Sequence, residues 1–390
     1  MTMGLRHMLT LLFVLFVLMG GTALFCCWLL SYCIAGKWLQ RLRLLVVIAD
    51  GASFLGILLS RSLLADFPLA GAALQIMAIF FMMQLILGAL TAAALLVRRL
   101  YRQMMAVPLD RSRRHLLRGA AAIPAVAGTA GMYGGLYERC HTVENRYDIF
   151  VPNLPEALEG YTVAQLSDIH LGLFFSMERL RQLLQQAADG QPDVLVITGD
   201  LFDDEQQNAA AARLVDSFCE KFPQGIYFCR GNHEYLRGIR SIEQALQQTG
   251  IHELVNRAEQ VLPGAPLYFV GVDYPMERSR FLELQQEFTT RAFADVPAEA
   301  VTVLLAHHPD FIDNGRSQGA ALTLTGHTHG GQLGFLGVPL VPPVFHYMRG
   351  MYRQAGSYGY VHSGNSSWFP YRFGCPPEVA YFRLCRAAEV

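Results

Sequence analysis

The hydrophobic pattern changes character near residue 140. Beyond that point the apolar residues come in short runs, each closed by a polar cluster. Five such runs, at 161–166, 194–198, 226–229, 301–306 and 322–325, are rich in Val, Ile, Leu or aromatic residues. They read as strands buried on both faces. Between the first two, a helix is expected from Met177 to about Ala188, capped by Ser176, with Leu180, Leu183 and Leu184 on its apolar face. Further helices are expected at 208–218 and 241–248. Residues 142–151 predict an edge strand, which Pro152 and Pro155 then break. Strands alternating with helices predict an α/β domain over 161–390, entered through a linker and edge strand at 138–160.

Before residue 140 the apolar stretches are long. No charged residue occurs in 8–36 or in 67–97, and about 20 helical residues suffice to cross a hydrocarbon core. Residues 44–60 form a shorter candidate containing Asp50. Residues 119–137 form another, built largely of Ala and Gly with Pro124; small residues allow membrane helices to pack closely. The expectation is therefore a multi-span α-helical membrane region over 1–137, with four helices at 8–36, 44–60, 67–97 and 119–137. An ionisable group inside a span is a candidate functional residue. The plainer reading places Asp50 near a helix end, at the interface, paired with Arg43 or Arg61.

Composition agrees with this division. Of 390 residues, 52% are hydrophobic and 16% charged, against about 25% charged in soluble domains. The formal net charge of -1 gives no case for nucleic acid binding. Local charge is more informative. Arg98, Arg99, Arg102, Arg111, Arg113, Arg114 and Arg118 face a single Asp110 between the third and fourth candidate spans, and Lys37, Arg41 and Arg43 precede the second. Short basic loops stay in the cytoplasm. With four spans the soluble domain then lies outside the cytoplasmic membrane; if 119–137 only rests on the membrane, it is cytoplasmic. The stretch from Ser112 through Arg113 and Arg114 to Arg118 resembles a twin-arginine export signal placed internally, and reads equally as a positive-inside flank. Cys26, Cys27 and Cys33 read as small hydrophobes. Cys140, Cys219, Cys229, Cys375 and Cys385 allow one disulfide but no disulfide framework. There is no Walker loop and no dinucleotide fingerprint.

The chemistry lies where the five runs end. They deliver Asp168-Ile169-His170, Gly199-Asp200-Leu201-Phe202-Asp203, Gly231-Asn232-His233-Glu234, His307-His308-Pro309 and Gly326-His327-Thr328-His329. Ligand sites in open α/β sheets form beyond the carboxyl ends of strands, so these clusters predict one crevice. Asp, His and Asn suit borderline divalent metals. One cluster alone is only a turn; five in order at strand ends point to a metal centre.

Two of these stretches, extended to Gln165–Gly172 and Gly326–Gln332, together with Pro377-Glu378, resemble the calcineurin-like metallophosphoesterase superfamily. The resemblance spans 143–384 and is similar to the branch of membrane-associated bacterial phosphoesterases. It implies a two-sheet sandwich flanked by helices and two divalent ions, of Mn, Zn, Fe, Co or Ni. It implies Asp168, His170 and His329 at one metal position, Asn232, His307 and His327 at the other, and Asp200 bridging both. It implies that Asp203 and Glu234 orient ligands. His233 corresponds to the family's catalytic histidine, protonating the leaving oxygen after a hydroxide held between the ions attacks phosphorus. Arg372 fits the pattern near the substrate pocket. His252, His346 and His362 lie outside any motif and read as structural, although His362 sits on a late loop that could approach the site.

One stretch departs from the branch. After residues 360–364 the chain continues Asn365-Ser366-Ser367-Trp368 where a Gly-x-Gly-Thr turn is common, which leaves substrate identity open. Trp368, Phe369 and Tyr371 read as core aromatics, or as residues resting on a membrane or an acyl group. Three functions are compatible with the chain. The first is a membrane-anchored phosphoesterase acting on a phosphodiester or pyrophosphate of a lipid-linked substrate, such as a phospholipid or UDP-diacylglucosamine. The second is a phosphoprotein phosphatase. The third is a membrane sensor or transporter whose soluble domain only binds a phosphorylated ligand; the scarcity of polar groups in the spans argues against transport.

Overall fold

The computed structural model describes residues 20–28, 31, 36–62, 70–104, 123–335, 338–340, 344–354, 356–367 and 369–387. The chain separates into two compact units, Met1–Tyr137 with Phe369–Tyr371, and Glu138–Trp368 with Arg372–Val390.

The second unit is built on two six-stranded sheets. The first takes β1 (Val143–Val151), β2 (Thr162–Leu166), β3 (Val194–Thr198), β4 (Ile226–Cys229), β5 (His252–Glu253) and a long closing strand, β14 (Glu378–Arg386), in the order β1-β14-β2-β3-β4-β5. The second takes β6 (Arg257–Gln260), β7 (Leu267–Gly271), β8 (Val301–Leu305), β9 (Leu322–Thr325), β12 (Gly350–Gln354) and β13 (Ser357–Val361), in the order β12-β13-β9-β8-β7-β6. A two-stranded hairpin, β10 (Gly334–Phe335) with β11 (Val338–Pro339), projects between β9 and β12 in sequence. β2, β3 and β4 run parallel in one sheet, and β7, β8, β9 and β13 in the other.

The uninterrupted apolar runs follow from this layering. In β3, Val194 and Val196 point into the core between the sheets, while Leu195 and Ile197 pack on the outer layer of helices Met177–Asp189, Asn208–Asp216 and Ile239–Leu246. In β8, Val303 and Leu305 face the inter-sheet core, and Leu304 faces the opposite layer, which includes the partly buried Phe288 of helix Phe281–Phe293. A strand buried on both faces has no polar alternation to display. Gln165 is the inward-facing exception. It donates to Thr198 Oγ1 at 2.8 Å and to the Thr325 carbonyl at 3.0 Å, fastening the two sheets together near the ends of β2, β3 and β9.

The expected helices are present with shifted ends, at Met177–Asp189, Asn208–Asp216 and Ile239–Leu246. Ser176 Oγ caps the first by accepting from Arg179 N at 3.3 Å. The edge strand is β1, which pairs in parallel with β14. Among the described residues all cysteines are free, so the allowed disulfide does not form.

In the first unit, one helix among the described residues is long and apolar enough to cross a membrane, Leu74–Val97 within Ala70–Met104. The four-span arrangement goes further than this. The 119–137 candidate is described from residue 123, as a helix to 132 followed by a π turn at Tyr133–Tyr137. The 44–60 candidate lies inside helix Lys37–Ser62. Most of 8–36 and the paired arginines at 113 and 114 lie outside the described residues. Asp50 is a correction: it sits mid-helix and buried, and accepts from Gln84 Nε2 at 2.6 Å instead of pairing with an arginine at a helix end.

Phe269 on β7 is fully buried between the sheets and packs edge-on against Tyr227 at 5.0 Å between ring centres. Phe269→Ala is expected to destabilise the second unit by about 3–5 kcal/mol, read as a lowered urea midpoint with an unchanged slope.

Candidate metal centre

The five polar clusters meet. Each leaves the carboxyl end of a parallel strand, β2, β3 and β4 from one sheet and β8 and β9 from the other. The chain must turn sharply there to aim side chains inward. Asp168, His170, Asp200, His327 and His329 all have positive φ, between 45° and 73°. This conformation is uncommon for residues with a Cβ and costs of order 1–3 kcal/mol each. Its concentration at one sheet edge marks a site the surrounding structure holds in place.

Three groups of donor atoms lie within 4.8 Å of one another: Asp168, His170 and His329; His170, Asp200 and His233; and Asp200, His307 and His327. Asp200 Oδ2 stands 3.6 Å from His170 Nε2 and 3.1 Å from His307 Nε2, so one carboxylate faces both flanks of the cluster. His329 Nε2 is 3.4 Å from Asp168 Oδ1 and 3.1 Å from His170 Nε2. His327 Nδ1 is 3.1 Å from His307 Nε2.

The imidazoles are oriented from behind. His307 Nδ1 donates to the Thr198 carbonyl at 2.8 Å and His329 Nδ1 to the Ser366 carbonyl at 3.1 Å, leaving each Nε2 turned inward. Ser167 Oγ donates to Asp168 Oδ2 at 2.7 Å, and the His327 amide donates to both Asp168 oxygens at 3.0 Å. Glu234 holds two loops at once. Its carboxylate accepts from the amides of Asp200, Leu201 and Phe202, and from Gly231, at 2.7–3.2 Å. Asp203 accepts from His233 Nδ1 at 2.8 Å and from Arg237 Nε at 2.7 Å.

Electrostatics fit a cation. Asp168 and Asp200 are buried at 0% and 2% exposure. Burial lifts the Asp168 carboxyl to about 6. Burial would also lift Asp200, but the adjacent His307 holds it well below the usual range. His307 is in turn held up at about 10 by Asp200, against the effect of burial. The site needs positive charge, and a protonated histidine supplies it. Burial drives His170 down to about 4 and His329 and His327 well below their usual value, toward the neutral form that ligates metal. The Asn232 side-chain oxygen is buried with no hydrogen-bond partner, as an atom reserved for a cation would be. These residues fit a divalent ion.

Some expected residues take other places. Arg372 is fully buried. Its guanidinium donates to the carbonyls of Ser363, Gly364, Ser366 and Cys375 and to Ser367 Oγ, so it props the loop beside the cluster. That loop, 362–367, follows β13 and was legible only as a departure from the family pattern. The amides of Asn365 and Ser366 donate to the carbonyls of Ser167 and Asp168 at 2.8 and 2.9 Å. Gly364 has φ 78°, and a Cβ there would lie 3.0 Å from His329 Nδ1 and 3.1 Å from Asp168 Cβ. His362 is buried in the same loop and accepts from the Gly364 amide. His252 stacks on Tyr227 and His346 on Tyr347. Tyr274 and Arg237 carried no motif signal. The Tyr274 ring lies 5.5–6.0 Å from those of His307, His308 and His327.

Residues 161–331 match the model of the family described as calcineurin-like phosphoesterase. The chain is 30% identical to the Uncharacterized metallophosphoesterase YkuE of Bacillus subtilis, over 70% of this chain and 97% of that protein. It is 27% identical to Phosphodiesterase YaeI of Escherichia coli, over 70% of this chain and 99% of that one. It is 30% identical to the Transmembrane protein with metallophosphoesterase domain of Danio rerio, over 48% of this chain and 44% of that one.

Glu234→Gln replaces one acceptor oxygen by a donor facing backbone amides. The expected outcome is about 1–3 kcal/mol of lost stability and a 10–100-fold weaker affinity for manganese. Denaturant titration and calorimetric metal titration check the two parts.

Proposed function

The chain belongs to the calcineurin-like phosphoesterase family and is a metal-dependent phosphoester hydrolase; on that premise we propose that it is a membrane-anchored enzyme cleaving a phosphodiester or pyrophosphate bond of a lipid-linked substrate. The carrying observation is the position of the Asp200 carboxylate between His170 and His307. In this reading two divalent ions bind. Asp168, His170 and His329 would hold one, Asn232, His307 and His327 would hold the other, and Asp200 would serve both. Bound there, such ions neutralise phosphoryl oxygens and bring a water's acidity near neutral pH.

The chain's own residues supply the rest. His233 lies against His170, with ring centres 4.4 Å apart, and is fixed by Asp203. Burial would lower its pKa, but the hydrogen bond to Asp203 and the charge of Asp200 raise it above the usual value. A histidine protonated near neutral pH can give its proton to a leaving oxygen. Asp203 and Arg237 fix the ring that does so. Glu234 keeps the turns bearing Asp200 and Asn232 in register.

Membrane anchoring is supported by the apolar helix Leu74–Val97, and by the exposed Ile76, Leu85, Leu96 and Val97 along it. In the fullest form of the proposal the anchor is multi-pass and the enzyme unit lies on the outer face. The name of the Escherichia coli relative favours a diester.

Two outcomes test the proposal on the full chain in detergent, stripped with chelator and reloaded with manganese. Asp200→Asn is expected to lose at least about a hundredfold of metal-dependent turnover of bis-p-nitrophenyl phosphate; an undiminished rate would remove Asp200 from the centre. His233→Ala is expected to keep its metal content and lose about 10²–10⁴-fold in turnover of an ester with a poor leaving group. The loss should be much smaller with p-nitrophenolate, which leaves without a proton.

A further inference from the structure

Soluble domains scatter single exposed hydrophobics over their surface. The second unit does not. Its exposed large apolar side chains stand on the connections that leave the same strand ends as the metal cluster: Leu173 after β2, Leu236 at the end of a short helix after β4, Leu282 in the first turn of helix Phe281–Phe293 after β7, and Phe335, Leu340 and Val344 after β9. Met276 and Val338 belong to the same connections. Phe150, on edge strand β1, is the one such side chain of this unit elsewhere among the described residues. Leu282 is 76% exposed and Val344 74%.

β2 and β4 run parallel through β3, and β7 and β9 through β8. The four connections therefore rise on the edge where the donor atoms converge. We propose that this apolar rim is a bilayer-docking surface, which seats the mouth of the metal centre at the headgroup level of the membrane. The proposal rests on the membrane-anchored, lipid-directed reading above and adds the surface that reads the lipid.

Several observations favour a bilayer over other occupants. The apolar groups belong to four separate connections around a site and line no single groove, which suits a planar partner. The hairpin β10–β11 pairs exposed Phe335 with exposed Val338, as a short interfacial anchor would. Exposed Arg237, Arg278 and Arg280 stand beside Leu236, Met276 and Leu282. Arg237 pairs with Asp203, and Arg280 with Glu277 and Glu283. Exposed apolar side chains close in sequence to exposed charged groups suit the headgroup boundary, not the hydrocarbon centre. The same chain carries a helix of membrane-spanning length, and stable membrane attachment generally takes two signals unless a helix inserts fully.

The test uses the full chain in phospholipid vesicles, in a Cys140→Ser, Cys385→Ser background. An environment-sensitive fluorophore is attached at Leu340→Cys or Leu282→Cys, or at Glu156→Cys, an exposed position ahead of β2 on the opposite edge; the label carried by the background chain is subtracted. Quenching by doxyl-labelled lipid is expected at Leu340 and Leu282 and not at Glu156. Equal exposure of all three sites in a chain that sediments with the vesicles overturns the rim and spares the anchor. A chain that does not sediment with vesicles sinks the anchor, and the rim with it. A label response set by protein concentration, and not by doxyl lipid, assigns the rim to a second copy and also overturns the proposal. As a second measurement, the Leu282→Asp, Leu340→Asp double variant should lose about tenfold on a phosphodiester lipid in vesicles and keep its turnover of bis-p-nitrophenyl phosphate; equal loss on both overturns the rim. Absence of hydrolysis by the unmodified chain would defeat the enzymatic reading, while quenching would still decide the rim.

Discussion

Asp168 and Asp200 are buried carboxylates set among five histidines, and the arrangement of the second unit depends on that charge. Negative charge out of water needs a positive partner close by. In the protein alone, His307 takes a proton beside Asp200. A divalent ion meets the same demand with more charge, and the neutral histidines around it are then ligands. The unpartnered oxygen of Asn232 belongs to the same arrangement.

Holding such a cluster costs backbone strain, and the structure concentrates its restraints there. Five residues of the cluster sit at positive φ. Around them the Glu234 carboxylate binds four amides, Gln165 ties the two sheets, and the 362–367 loop hydrogen-bonds to the turn at Asp168. Gly199 is one close approach: at φ 80°, a Cβ there would lie 2.6 Å from His307 Nδ1 and 2.7 Å from the Gly231 amide. Two strand-end turns pack against each other with no room for a side chain. Rigid elements therefore position the donors, while the longer connections beyond them carry the exposed apolar side chains.

The first unit shows where a hydrophobicity pattern reaches further than the structure. Long apolar stretches predicted four spans, and the described residues contain one helix that meets the length and composition of a span. The described part of the Ala- and Gly-rich stretch is a helix to residue 132 that passes into a π turn ahead of β1. Asp50 shows the complementary point. Its place in the sequence suggested an interface arginine, but the partner is Gln84, brought near by a second helix.

Much of the candidate site was legible in the sequence because its donors are local. Each follows a strand directly, and an apolar run plus a polar cluster records both the strand and its end. The layered α/β class was legible for the same reason. What a period cannot record is which strand lies beside which, since every buried strand carries a similar pattern. Only the tertiary structure sets β14 between β1 and β2. Only it brings Asn365 and Ser366 onto Ser167 and Asp168 through backbone amides, which leave no trace in residue identity. It makes Arg372 a buried brace for the 362–367 loop, because an arginine's bonds depend on which carbonyls surround it. It also gathers scattered leucines and valines from four connections onto one edge, a proximity set by strand direction and not by spacing along the chain.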